Sequence, residues 1–455
     1  MKILHLPFGY FPDVCGGTEV YVAALCRELS VLGHQVVVAA PGNRLEENKY
    51  EDVPVYRYPV NGDLPDSIRS GEGDPGAVAH VGDILDQIKP DIVHLHALTS
   101  GVSLLVLREA AKRDTRTVLT YHTPTVSCVQ GTLLYKGREV CDGVLDEARC
   151  TACSLTCLGL PEAVSKGLVH LPEYTGRWFA RIGFSGRWLT ALRRKEMVSL
   201  RHKTVRQIFA EVDHVIALCD WTEKLLQRNR LGAGKMSIIR HGLPHKVESS
   251  PARQIEVPQA FSEKQPLRLL YLGRISPEKG VDIIVQAMNA LPADAPVTLD
   301  IFCLQQDAGE FVQGVLKQVE NDSRITLHPP VSPDEVIPLM RGFHVLLVPS
   351  QWLETGPFVV LEALSSKTPV VGSWLGGIGE QVKEGVSGLL LDDYRQPSAW
   401  QTAIEKIVTD PALVSRLRRS IESPQGFDAV ARSHDRMYGA LNSNSGNSRD
   451  GRQQQ

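Results

Sequence analysis

Two carboxylates stand in an otherwise apolar run, QWLETGPFVVLEAL at residues 351–364: Glu354 and Glu362, with seven residues between them. Acids in such company need a partner or a ligand, because a buried unpaired carboxylate is costly. Pro357 favours the first turn of a helix, and Thr355 or Gly356 can cap it. The spacing therefore predicts a loop at 350–356 and a helix from about 357. Glu362 would lie roughly 7–8 Å along that helix, with Glu354 in the loop before it. Free N–H groups at a helix start bind anions. The two acids would flank a span suited to the diphosphate of a nucleotide sugar, one reaching the ribose and the other the sugar. The plainer alternative is a solvated loop Glu and a surface helical Glu.

Upstream, YLGRISPEKG (271–280) places Arg274 and Lys279 five apart across a Ser-Pro turn, directly after a predicted strand. Two cations at a strand end are what a diphosphate requires, one as a planar fork and one as a point charge. Surface charge on a turn is the plainer alternative.

Of nine cysteines, Cys128, Cys141, Cys150, Cys153 and Cys157 fall within thirty residues as C-x12-C-x8-C-x2-C-x3-C. A CxxC knuckle with two upstream cysteines can furnish a tetrahedral thiolate site. Structural zinc on Cys128, Cys141, Cys150 and Cys153 is the expectation, with Cys157 as an alternative fourth ligand. An iron–sulfur cluster and free thiols are the alternatives. Cys15, Cys26, Cys219 and Cys303 sit in apolar contexts and read as core. Further on, 177–206 holds nine Lys or Arg against one Glu, a local balance of +8, interleaved with Trp178, Phe179, Phe184 and Trp188. Such a segment suits an anionic membrane surface or a phosphorylated lipid. An amphipathic helix with solvated arginines is the bland reading.

These residues need a scaffold. At 455 residues, 43% apolar and 22% charged, the chain is long enough for two or three globular domains. Net charge of −3 offers no field for nucleic acid, and none is expected as a partner. No stretch approaches the ~20 apolar residues of a spanning helix, and the N-terminus lacks signal-peptide features. The expected location is the cytoplasm, peripheral on the inner face of the membrane if 177–206 binds lipid. KILHLPF, HQVVVAAP, DIVHLHA, TVLTYHTP, HVIALCD and MSIIRHG read as buried strands, with helical patterns between the earlier ones. After a polar stretch near 245–266 the alternation restarts with LRLLYLGR, VTLDIFCL, RITLHPP, HVLLVPS and TPVVGSW. Repeated strand–helix alternation means doubly wound α/β domains. The expected layout is a first domain at 1–245 with an insertion at about 124–206, and a second at 246–422. A terminal helix at 423–442 packing on the first domain and a disordered tail at 443–455 complete it. Ligands of such sheets bind at the carboxyl ends of the strands, here in the cleft between two facing domains.

The pieces LGRISPEKG, VPSQWLETGPFVVLEAL, TPVVGSWLGGIGE and GVSGLLLDD, in this order, resemble the family-4 retaining glycosyltransferases of the GT-B fold. GGTE, DIVHLH and TYHTP match more loosely in the first half. The resemblance implies two Rossmann-like domains and a nucleotide diphosphate sugar, UDP or GDP type, as donor. It implies a glycan or polyprenyl-diphosphate-linked acceptor, surface or exopolysaccharide biosynthesis, and no catalytic metal. Arg274 and Lys279 look like the diphosphate clamp, supported by Thr355, Gly356, Pro357 and Phe358 at the helix start. Glu362 is similar to the acid holding the ribose, and Glu354 to the acid contacting the transferred sugar. Gly16 and Gly17 resemble a glycine loop closing on the donor phosphates, and His122 a histidine near the reacting sugar. His94 and His96 read as structural. The chain departs from the family pattern at "TGP" after Glu354, at Lys367 where a turn glycine is usual, and at Arg240–Gly242. Rival readings are a nucleotide-sugar epimerase, a glycan phosphorylase, or a non-catalytic scaffold carrying a zinc module.

Overall fold

A computed structural model describes residues 1–13, 16–65, 68, 71–181, 186–245, 253–303 and 309–443. Cys15, Phe184, part of the 245–266 stretch and the tail beyond residue 443 lie outside the described residues. The chain forms two compact units, Met1–Arg240 together with the segment from Asp428, and His241–Phe427.

In the first unit the strands are β1 (Lys2–Leu6), β2 (Gln35–Gly42), β3 (Glu46–Tyr50), β4 (Val53–Pro59), β5 (Ile92–Leu95) and β6 (Arg116–Tyr121). A small hairpin of β7 (Leu134–Tyr135) and β8 (Glu139–Val140) follows, then β9 (His214–Ala217) and β10 (Met236–Ile238). The main sheet has the order β10-β9-β6-β5-β1-β2-β4-β3. Only β3 runs antiparallel, against β4. Parallel strands are covered on both faces, which is why they read as unbroken apolar runs. β3, with the sequence EENKY and a largely exposed pattern, lacks that signature and was not foreseen. Strand order reverses between β1 and β5, so ligand chemistry is expected at their carboxyl ends.

The second unit contains β11 (Leu267–Leu272), β12 (Val297–Phe302), β13 (Ile325–His328), β14 (Val345–Val348), β15 (Val370–Ser373) and β16 (Gly388–Leu391). They form one sheet, β13-β12-β11-β14-β15-β16, parallel throughout. Leu269, Leu299, Ile284 and Trp400 share its core, and Trp400 Nε1 donates to the Tyr394 carbonyl at 2.8 Å. Here the reversal falls between β11 and β14. The motifs holding Arg274, Lys279 and Glu354 directly follow those two strands.

Between β6 and β9 the alternation breaks. A 3-10 turn at Pro124–Val126 and the β7–β8 hairpin precede helices Glu147–Cys157, Glu162–Leu168, Thr175–Arg181 and Arg187–Glu211. The basic stretch is not a uniformly solvated face. Arg194 donates to Ser154 Oγ, Arg201 to the Thr125 carbonyl at 2.5 Å, and Lys195 to the Leu171 carbonyl at 3.0 Å. Arg177 pairs with Glu196 at 3.0 Å. These cations tie the segment together, while Trp178 (55% exposed) and Trp188 (61%) face solvent. No helix among the described residues is long and apolar enough to cross a membrane.

The last helix, Phe427–Ser443, belongs to the first unit from Asp428 onward. Tyr21 lies 3.2 Å from its His434, and its Tyr438 lies 2.6 Å from His94.

The turn between helix Phe358–Ser365 and β15 bends through Lys367, whose φ of 59° is left-handed. A Cβ is disfavoured there, which explains the family's glycine. Lys367 compensates by donating Nζ to the Ile421 carbonyl at 2.7 Å. Lys367→Gly should stabilise the chain by about 0.5–1 kcal/mol. Urea unfolding showing a loss instead would mean that the Ile421 contact outweighs the strain.

Candidate active site

β11 ends into Gly273 and the exposed Arg274, whose carbonyl accepts from Tyr271 Oη at 2.8 Å. A 3-10 turn, Pro277–Lys279, then leads to Gly280 at φ +67°. A Cβ at Gly280 would also run into the Pro349 carbonyl oxygen, so backbone conformation and close packing both require glycine. That approach stitches the turn to the exit of β14. Gln351 N–H donates to the Glu278 carbonyl at 2.7 Å, and Ser350 Oγ to the same carbonyl at 3.3 Å.

Glu354 thereby meets Lys279. Its Oε1 accepts from Lys279 Nζ at 2.6 Å, Ser350 Oγ at 2.8 Å and Trp352 Nε1 at 3.0 Å. Burial pushes the Glu354 carboxyl up, but the Lys279 charge and these donated bonds outweigh it and hold its pKa below the usual value. Gly356 follows at φ +134°, a conformation that suits the "TGP" departure from the family pattern. Helix Phe358–Ser365 starts one residue later than predicted, with Pro357 as its N-cap. Glu362 is its fifth residue and is buried; burial raises its pKa to about 7. Tyr271, Lys279, Ser350, Glu354, Pro357 and Val359 line a recess at these strand ends. Of the second unit's predicted residues, Lys279 and Glu354 are in direct contact.

In the first unit Gly16 caps helix Gly17–Val31, and its N–H donates to Glu19 Oε2 at 2.8 Å. His122 follows β6 and is buried. It belongs to a group of histidines that sequence reasoning did not assemble. His122 Nε2 lies 2.9 Å from His96 Nδ1, and His96 Nε2 lies 2.9 Å from His5 Nδ1. His94 joins Tyr438 and, at 2.7 Å, Thr120. The available signal was His-x-His at 94–96, which puts both rings on one face of a strand. The sheet register then sets His5 opposite His94.

Among the described residues, His5, His94 and His96 are the one group whose potential metal-ligating atoms all lie within 4.8 Å of one another. The two ring nitrogens of His94 and of His96 already make hydrogen bonds, so the group reads as a polar network. Among the described residues, the predicted ligands Cys128, Cys141, Cys150 and Cys153 do not meet that 4.8 Å criterion, yet they are neighbours: after burial, Cys128, Cys141 and Cys153 add to the upward push on the Cys150 thiol. Cys153 Sγ accepts from Lys136 N–H at 3.0 Å, and Cys141 Sγ from Arg149 at 3.2 Å. Cys150 Sγ faces the Val144 carbonyl at 3.9 Å.

Residues 253–423 match the family described as glycosyl transferases group 1, and residues 16–242 match the glycosyl transferase 4-like domain. The chain belongs to the group 1 and 4-like glycosyltransferases, with the GT-B fold. The chain is 25% identical over 237 residues to D-inositol 3-phosphate glycosyltransferase of Rhodococcus jostii, covering 50% of this chain and 52% of that protein. It thus spans about half the length of the curated relatives it matches. Among solved structures, sucrose-phosphate synthase from Thermosynechococcus elongatus shares its fold at TM-score 0.63 and 16% identity, covering 97% of this chain and 99% of that one. Anabaena HepE in complex with UDP and glucose does so at TM-score 0.62 and 15% identity, covering 97% and 100%.

The Glu362 pKa makes a pH signature. Raised from 4.5 to about 7 in the folded chain, the carboxyl contributes stability that is fully present below about pH 4.5 and lost as pH rises through 7. Relative to Glu362→Gln, the parent should lose roughly 3 kcal/mol across that window. Parallel stability–pH curves in urea would show that Glu362 does not titrate there.

Proposed function

We propose that this glycosyltransferase moves a sugar from a nucleotide diphosphate sugar to a hydroxyl of a glycan or polyprenyl-diphosphate-linked acceptor, with retention at the anomeric carbon. The observation that carries the reading is the meeting of Lys279 and Glu354, 2.6 Å apart, where the second unit's strand order reverses. Arg274 and Lys279 take the donor diphosphate, together with the N–H groups of Thr355, Gly356 and Phe358; Pro357, which has no N–H, fixes the turn. Charge developing on the leaving phosphate is then met by protein cations instead of a metal. Glu362 accepts from the ribose hydroxyls and Glu354 contacts the sugar. The bond from the anomeric carbon to the phosphate oxygen breaks, and the acceptor oxygen bonds to the same face. The acceptor's proton passes to the departing phosphate. His122 and the Gly16–Gly17 loop are assigned to the reacting sugar and donor phosphates from the first unit.

A uridine donor is the first choice, because a solved structure of similar fold is named for its complex with UDP and glucose. Surface or exopolysaccharide assembly is the proposed setting; another similar fold belongs to WaaG, named for lipopolysaccharide biosynthesis. Exposed Trp178 and Trp188 support docking of the basic stretch at about 177–206 on the inner face of an anionic membrane, where a lipid-linked acceptor would lie.

The decisive experiment is thermal stability with UDP, GDP and ADP. A nucleotide at 100 times its Kd should stabilise by about 2.7 kcal/mol. Arg274→Ala should abolish the shift while leaving the unliganded melting temperature in place. An absent shift with all three nucleotides would overturn the donor assignment.

Structural zinc in the cysteine segment is proposed on its donor set, because Cys128 and Cys141 lie near enough to both Cys150 and Cys153 to act on them after burial. Elemental analysis of anaerobically purified protein should find about one zinc per chain, reduced in Cys150→Ser. Metal-free protein with unchanged melting temperature would end the idea.

A further inference from the structure

Arg201 stands on helix Arg187–Glu211 and reaches the carboxyl edge of the first unit's sheet. Its Nη2 donates to the Leu98 carbonyl at 3.4 Å, in the loop after β5, and to the Thr125 carbonyl at 2.5 Å, in the loop after β6. These two bonds use both hydrogens of Nη2 and fix the plane of the guanidinium. The Nε–H and the two Nη1–H groups remain, and no described residue accepts from them.

Cations elsewhere in this segment face carboxylates. Arg149 meets Asp142 at 2.6 Å, Lys136 meets Glu162 at 2.9 Å, and Arg177 meets Glu196 at 3.0 Å. Arg201 is coupled instead to Tyr121, Cys128 and His202, none of them a carboxylate. Tyr121 Oη is bonded to Ser127 Oγ at 2.7 Å, and burial pushes its pKa up, so the phenol stays neutral. Burial holds His202 down to about 4, so its ring is neutral as well. Cys128 is a thiol that the zinc reading spends on the metal. A cation drawn out of water without a counter-charge is costly, which makes Arg201 a vacancy for an anion.

The loop that holds Arg201 also brings hydroxyls. Thr123 Oγ1 and Thr125 Oγ1 lie 2.5 Å apart, so one donates to the other and one O–H is left over. Thr125 is exposed, and Thr123 directly follows His122. Unspent guanidinium N–H groups beside a free hydroxyl suit an oxyanion with several terminal oxygens, and the planar fork of arginine matches phosphate in particular.

We propose that Arg201, with the Thr123–Thr125 hydroxyl pair, binds a phosphate group carried by the acceptor. Assignment to the acceptor rests on the transfer reading, in which His122 faces the reacting sugar and Arg274 and Lys279 of the second unit hold the donor. The bound phosphate then lies close to the hydroxyl that is glycosylated. That selects a phosphorylated sugar, free or polyprenyl-linked, over a neutral glycan.

The test is calorimetric titration of the full chain with inorganic phosphate, in an Arg274→Ala background that weakens the donor clamp. Arg201→Gln should raise the phosphate Kd about tenfold, the loss expected for bonds to a charged group. Thr125→Val keeps the carbonyl tie to Arg201 and should raise it about threefold; this variant carries the test if Arg201→Gln does not fold. Lys203→Gln removes an exposed charge from the same helix and should leave the Kd unchanged. Glucose 6-phosphate and farnesyl diphosphate distinguish the source. Whichever binds more tightly than inorganic phosphate, and loses that advantage in Arg201→Gln, marks a free or a polyprenyl-linked acceptor. A parent-like Kd in both Arg201→Gln and Thr125→Val, an equal loss in Lys203→Gln, or acetate binding as tightly as phosphate would overturn the site. The UDP-induced melting shift does not involve Arg201. Its absence in the parent would overturn the donor reading alone, and the phosphate titrations would still decide this site.

Discussion

The ion pair between Lys279 and Glu354 exists because two loops of the second unit cannot avoid each other. Parallel strands put all their exits on one edge, and the order reverses between β11 and β14, so the loops after these neighbouring strands leave side by side. Gly280 lets the first loop touch the Pro349 backbone of the second. Lys279 is then delivered onto a carboxylate that Ser350 and Trp352 already hold. A buried pair of this kind is weak evidence for stability, because desolvation offsets much of its attraction. Its significance is chemical: on the proposed donor role of Lys279, a diphosphate would take over the ammonium by replacing one anion with another.

The first unit meets the same constraint with uncharged groups. Its reversal lies at β1 and β5, and the residues at those carboxyl ends include His5, His94 and His96. A polar group so deep must find a partner. The histidines use one another, Thr120, and residues of the terminal helix. That helix thus completes a polar interior as well as an apolar one, with Val430 and Ala431 buried beside His434 and Tyr438.

The segment between β6 and β9 follows a different logic. Besides buried apolar residues such as Leu133, Leu155, Val198 and Phe209, it is held by cations donating to backbone carbonyls and hydroxyls. Arg201 is the clearest case: it lies among Leu98, Thr125 and Tyr121, and burial lowers its pKa to about 10. Electrostatics here serves cohesion, and the exposed surface is left to aromatic rings.

Much of this was legible in the linear chain. Apolar runs such as KILHL and VLLV can only be strands covered on both faces, and their alternation with helical patterns dictates two doubly wound sheets. The two acids seven residues apart and the Arg-Lys turn also read locally, because a strand, a loop and a helix start are enough to place each of them. The edge strand β3 was hidden, since pairing with β4 supplies the order that its own polar sequence does not. The histidine group was hidden for a related reason. His5, His96 and His122 lie on separate segments, and only the sheet register brings them within 2.9 Å contacts. Cysteine spacing suggested a ligand set, yet which group each thiol meets depends on tertiary contacts, as where Cys153 accepts from the Lys136 N–H of the hairpin turn. Local pattern decides which element a residue occupies; which residues meet across elements, and in what protonation state, depends on register and burial, which belong to the tertiary structure alone.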